Sequence, residues 1–255
     1  MHNKKNGIEY WRVFCIYIMS NTRFSAFSST KVASFNQGLR EYMLGVYNYM
    51  TIALAISGVV AYFTAYSGLA YVIFSGPLGM LVAFAPLIMS FYLAFKFQSM
   101  SFESVRNFLL LYAVLMGLSL SSVFLVYAME SVARAFFITS GMFGFMSIYG
   151  YTTKKDLSSM GSFLMMGAMG ILIASIVNIF MHSQGLSMLI SFLAVIIFTG
   201  LTAYDTQKIR DMYYSLGNNT EMAKKVAVFG AFQLYMDFVV IFVHMLRLLE
   251  AARRN

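Results

Sequence analysis

Two carboxylates stand where carboxylates are expensive. Asp237 lies near the middle of Val226–Leu249, VAVFGAFQLYMDFVVIFVHMLRLL, with Gln233 one turn before it. Asp205 closes the preceding apolar segment, in the run Thr202-Ala203-Tyr204-Asp205. An ionised carboxylate turned toward lipid costs several kcal/mol, so Asp237 must face protein or water and must have a partner. The obvious partner is Asp205. Two carboxyls held close cannot both ionise cheaply, so they share a proton and titrate as a pair. Acids inside a membrane are more often functional than structural. The structural alternative is an Asp237 satisfied by neighbouring hydroxyls.

About 20 apolar residues cross a bilayer, and Val226–Leu249 meets that length. A helix with a polar side needs cover there, which places it inside a bundle. Six further apolar segments can supply the cover, at about Leu44–Tyr66, Pro77–Phe95, Val105–Tyr127, Val132–Tyr151, Met160–Phe180 and Ser187–Asp205. Pro86 marks a kink in the second. Ser67-Gly68, Met129-Glu130-Ser131 and His182–Gly185 are short turns, and Thr152–Asp156 is a charged loop. The longest late connection is Thr206–Lys225. The expected architecture is an all-α integral membrane protein with seven transmembrane helices over residues 44–255. Residues 1–43 form a mobile, basic cytoplasmic tail.

Composition supports that class. The 255 residues are 60% hydrophobic and 11% charged, with a mean hydropathy of +0.72, whereas soluble domains run near about 25% charged. The net charge of +8 does not point to nucleic acid, because the basic residues lie between apolar segments. There they report orientation and contact with anionic head groups of membrane lipids. With the N-terminus inside, six basic residues of the leading stretch join Lys96, Arg106, Lys154, Lys155, Lys208, Arg210, Lys224 and Lys225 on the inner side. Arg134, Arg247, Arg253 and Arg254 fall outside, the last three joining the inner set instead if residues 226–249 dip in and return. That bias sets a cytoplasmic N-terminus. Cys15 is the single cysteine, which excludes an internal disulfide framework and a cysteine metal cluster. The sequence contains no His-Glu-x-x-His, Gly-x-Ser-x-Gly or Walker-type loop, and it does not read as an enzyme. His2, His182 and His244 are too scattered for a metal site. His244, two turns after Asp237, reads as a packing or snorkelling residue before a relay.

Five runs carry a family resemblance. They are GLREYMLGVYNYM at Gly38–Met50, FITSGMFG at Phe137–Gly144, GYTTKKDL at Gly150–Leu157, GLTAYDTQKIR at Gly200–Arg210 and LYMDF at Leu234–Phe238. Together they resemble the Bax inhibitor-1 family, also called the transmembrane Bax inhibitor motif family, in its bacterial inner-membrane members. The resemblance runs from about residue 38 to the C-terminus. It implies seven helices with the C-terminal helix enclosed by the other six. It also implies a pH-sensitive calcium leak channel in the bacterial inner membrane, gated by a pair of aspartates that match Asp205 and Asp237. Ca²⁺ would be the permeating ion, touching these two transiently, and no cofactor is implied. The family's basic latch at the end of the second helix maps to Lys96, where arginine is commoner; lysine is a point charge without arginine's fork. An acid that some members carry in the second span has no counterpart here.

Two other readings stay open. One is a binding partner or modulator of a membrane protease, with the leading stretch as its handle. The other is a proton-coupled secondary transporter, a class usually built with paired broken helices. The channel reading carries a geometric condition. Asp205 lies one turn before Lys208, whereas Asp237 lies twelve residues past Lys225, on the order of 18 Å along a helix. The acids meet only if the sixth helix projects beyond the bilayer or the last begins outside it.

Overall fold

In hydrocarbon each backbone N–H and C=O must be paired within its own segment, so long apolar runs fold as helices. The computed structural model describes residues 37–216 and 220–254. They form α1 (Gln37–Tyr66), α2 (Leu69–Phe74), α3 (Leu78–Lys96), α4 (Phe102–Val126), α5 (Met129–Thr152), α6 (Ser158–Met181), α7 (Gln184–Leu216) and α8 (Thr220–Arg254). All but α2 are long and apolar enough to cross a membrane, as the seven expected spans require. The chain divides into two units after Tyr42, inside α1. Of the expected tail, residues 1–36 lie outside the described residues, and Gln37 onward is helix.

The turns follow local chemistry. Gly68 adopts φ 77° before α2, a left-handed conformation that costs glycine nothing. Ser101 caps α4 by accepting the Ser104 N–H at 3.3 Å, and Glu103 in the first turn complements the helix dipole. Asp156 accepts the Ser158 N–H at 2.8 Å at the start of α6. Hydrogen bonds from the Ser158 side chain and backbone hold its carboxyl below the usual carboxylate range. α3 runs through Pro86 as one continuous helix. The main departure from the sequence reading is the late connection: Thr206–Leu216 continues α7, and α8 already begins at Thr220.

Within residues 43–255, α8 is the most covered span, with 67% of its apolar window buried against 6% for α6. It packs on α4, α5 and α7, and Tyr235 meets Ser57 of α1 through a 2.6 Å hydroxyl–hydroxyl hydrogen bond. Tyr112 of α4 sets its ring edge-to-face against Phe232 and Tyr235, with centroids 4.9 and 5.9 Å away. Phe238 does the same with Phe136 and Phe143 of α5. α6 lies against α7 and exposes Phe163, Met166, Ile173 and Phe180. Apolar side chains all round a helix suit a lipid-facing position.

Candidate functional site

The two longest helices, α7 with 33 residues and α8 with 35, run against each other and overshoot their apolar stretches. That overshoot meets the condition on which contact between the acids depended. Asp205 of α7 and Asp237 of α8 are 7% and 4% exposed, and their carboxyls are hydrogen-bonded to each other. A carboxylate only accepts, so a carboxyl–carboxyl hydrogen bond requires a proton on one partner. Asp237 Oδ2 is buried without a hydrogen-bond partner, as is Gln233 Oε1 one turn earlier. Buried acceptors in that state are rare and call for a specific explanation.

Small residues let α5 and α6 approach α7 closely beside Asp205. A Cβ on Gly150 of α5 would collide with the Ala203 carbonyl oxygen, and one on Gly161 of α6 with the Tyr204 ring. Close approach of this kind is how membrane helices gain packing contacts. Side chains beyond Asp205 then fix its helix. Thr206 shares a 3.1 Å hydrogen bond with Ser147, which shares a second with Tyr47 at 2.8 Å. Gln207 accepts the Leu157 N–H and donates to the Lys155 carbonyl, both at 2.8 Å. Arg210 Nη1 donates to the carbonyls of Tyr151 and Thr153. The polar end of α7 therefore clamps the connection between α5 and α6, and Asp205 sits at the root of that clamp.

The structure joins Asp205 and Asp237 but does not join Lys96 to them. Lys96 is exposed at the end of α3, and no ion pair links it to either carboxylate. The cation acting on Asp205 is Lys208, one turn along α7, whose ammonium lies 5.8 Å from the Tyr204 ring centroid. A different lysine engages the end of α3. Lys225 of α8 is 8% exposed, donates to the Gln98 carbonyl at 3.1 Å and stands 4.7 Å from the Phe97 ring centroid. Phe97 in turn packs on Phe229 at 4.2 Å. Sequence reasoning counted Lys225 only as an orientation charge. The available signal was its position one turn before Phe229, on the same face of the helix.

Residues 39–255 match the family described as inhibitor of apoptosis-promoting Bax1. The chain is similar to an uncharacterised protein of Rickettsia prowazekii, 44% identical over 227 residues that cover 89% of this chain and 96% of the relative. It is similar to an uncharacterised protein of Caulobacter vibrioides, 43% identical over 223 residues covering 84% and 89%. It is also similar to the inner membrane protein YbhL of Escherichia coli K12, 39% identical over 216 residues covering 83% and 92%.

Proposed function

Since the chain belongs to the family of inhibitors of apoptosis-promoting Bax1 and is a multi-pass inner-membrane protein by its helices and its kin, we propose that it is a pH-sensitive calcium leak channel gated by Asp205 and Asp237. The supporting observation is the hydrogen bond between these two buried carboxyls, on the helix pair α7–α8. At low pH the shared proton holds the pair together. At higher pH its loss leaves two like charges in one buried site, and repulsion parts the helices. The separated carboxylates offer oxygen donors to Ca²⁺, fewer than the roughly six to eight that a resident calcium ion takes. The ion therefore passes through rather than stays. The N-terminus faces the cytoplasm, and Lys154, Lys155, Lys208 and Lys224 meet anionic lipid head groups there. The test is Ca²⁺ entry into dye-loaded proteoliposomes between about pH 6 and 8, a range around neutrality where such a pair can titrate. Entry should rise with pH; a rate equal to that of protein-free liposomes at every pH refutes the channel.

A further inference from the structure

α1 and α5 touch at one end and part at the other. Tyr47 of α1 and Ser147 of α5 share a 2.8 Å hydrogen bond. On another flank α1 presses against α4, where a Cβ on Gly117 would strike the Ser57 carbonyl oxygen. Toward the α4–α5 turn a cleft of about 350 Å³ opens between α1 and α5. Leu54 and Gly58 form one wall, Ala133 and Phe137 the other, and Phe238 and Phe242 of α8 the floor. The cleft opens sideways on the molecular surface, since Tyr62 and Phe137 at its edges are exposed. Both walls belong to helices long and apolar enough to cross the membrane, so lipid is what meets the opening.

Neither water nor empty space suits this cleft. Ser57, the polar residue at its depth, has its hydroxyl 2.8 and 2.9 Å from the Ala53 and Ala113 carbonyls and 2.6 Å from the Tyr235 hydroxyl. Those three contacts use up its hydrogen bonds and leave nothing for a water, which needs several polar partners. An empty cleft would deprive Phe238 and Phe242 of dispersion contacts on one side. A hydrocarbon chain restores them. The dimensions agree: Leu54 to Tyr62 covers about 12 Å of helix, and one leaflet is about 15 Å deep, half of a bilayer's hydrocarbon core. The mouth carries charge. Arg134 follows Ala133 on the exposed flank of α5 and gives one nitrogen to Glu130 at 2.6 Å. A guanidinium has several further N–H donors, and arginine binds phosphate through paired hydrogen bonds. We propose that the cleft seats one acyl chain of a phospholipid from the leaflet beside the α4–α5 turn, the outer one in the proposed orientation, with the lipid phosphate on Arg134. The seated chain completes the packing of α8 at Phe238, next to Asp237. The site is independent of what the protein conducts.

Photolabelling tests the site. Full-length protein in detergent is given a phosphatidylethanolamine that carries a diazirine on one acyl chain. After illumination, adducts should be about fivefold denser on residues 129–137 and 238–242 than on residues 163–173 of α6, which also face lipid. Gly58→Leu fills the cleft, since a Cβ there meets nothing within 4 Å. It should cut the cleft adducts by about fivefold or more and leave those on α6 unchanged. Ala133→Leu fills the cleft from the opposite wall and should do the same. Arg134→Gln should weaken labelling by the phospholipid probe but not by a diacylglycerol with the same diazirine, which has no phosphate. Three results overturn the proposal. They are cleft adducts no denser than those on α6, cleft adducts undiminished in both filled variants, or a dimer of the protein that keeps the probe out. Equal effects of Arg134→Gln on the two probes would overturn the phosphate contact and with it the choice of a phospholipid.

Discussion

Lys225→Met isolates the contact that ties the first turns of α8 to the turn after α3. Methionine keeps the apolar stem packed and removes only the ammonium. Lost with it are the 3.1 Å hydrogen bond to Gln98 and the position 4.7 Å from the Phe97 ring. A hydrogen bond to a charged group contributes about 1.5–3 kcal/mol, and a partly desolvated cation–π contact about 0.5–2 kcal/mol. Gln98 is exposed, so water replaces the amine on its carbonyl, and the variant no longer desolvates a charge. Both corrections bring the net loss to about 1–2 kcal/mol, a factor of about 5–30 in the population of the opened turn. Hydrogen–deuterium exchange over residues 97–101 reads this directly. Those amides should exchange about 5- to 30-fold faster in Lys225→Met. Lys225→Arg, which keeps a cation and a donor, should stay near wild type. Exchange in Lys225→Met within about twofold of wild type would refute the reasoning, since it would mean a contact of under about 0.5 kcal/mol.

Gly150→Ala drives a Cβ into the Ala203 carbonyl oxygen and should destabilise the protein by about 1–3 kcal/mol. Gly141→Ala meets nothing within 4 Å and should stay within about 0.5 kcal/mol; equal thermal midpoints for the two variants would contradict close α5–α7 packing. A reporter active only in the cytoplasm should work when fused after Lys155 or Glu221 and fail after Gln184. Activity at Gln184 would reverse the proposed orientation.

The carboxyl pair was legible in the sequence because an acid inside an apolar run has few other uses. Its closure was not. Hydropathy falls at Asp205, yet the backbone stays helical to Leu216, since Thr206, Gln207 and Arg210 satisfy their side chains against α5 and its connection rather than in a loop. A hydropathy scan marks where a helix leaves lipid and is blind to where the helix ends. The same blindness hid α2, whose six residues are too short to signal a span. Lys96 and Lys225 show the limit for cations. Both stand next to apolar runs, and composition cannot tell an exposed lysine from one whose ammonium lies between Gln98 and Phe97. Seven spans and the family followed from pattern; the partner of each buried polar group needed coordinates.

The central claim is that Asp205 and Asp237 titrate as one gate, and a double-mutant cycle on calcium flux tests it most directly. Asparagine keeps the shape of the carboxyl, so Asp205→Asn, Asp237→Asn and the double variant should fold and insert. Ca²⁺ entry into dye-loaded proteoliposomes is measured for all four proteins between about pH 6 and 8. A proton shared by two groups belongs to the pair, so either single change should abolish the pH dependence. The double change should add little, because residues in contact are not additive. Single variants that keep the wild-type pH profile, or effects that simply add in the double variant, would contradict the shared gate.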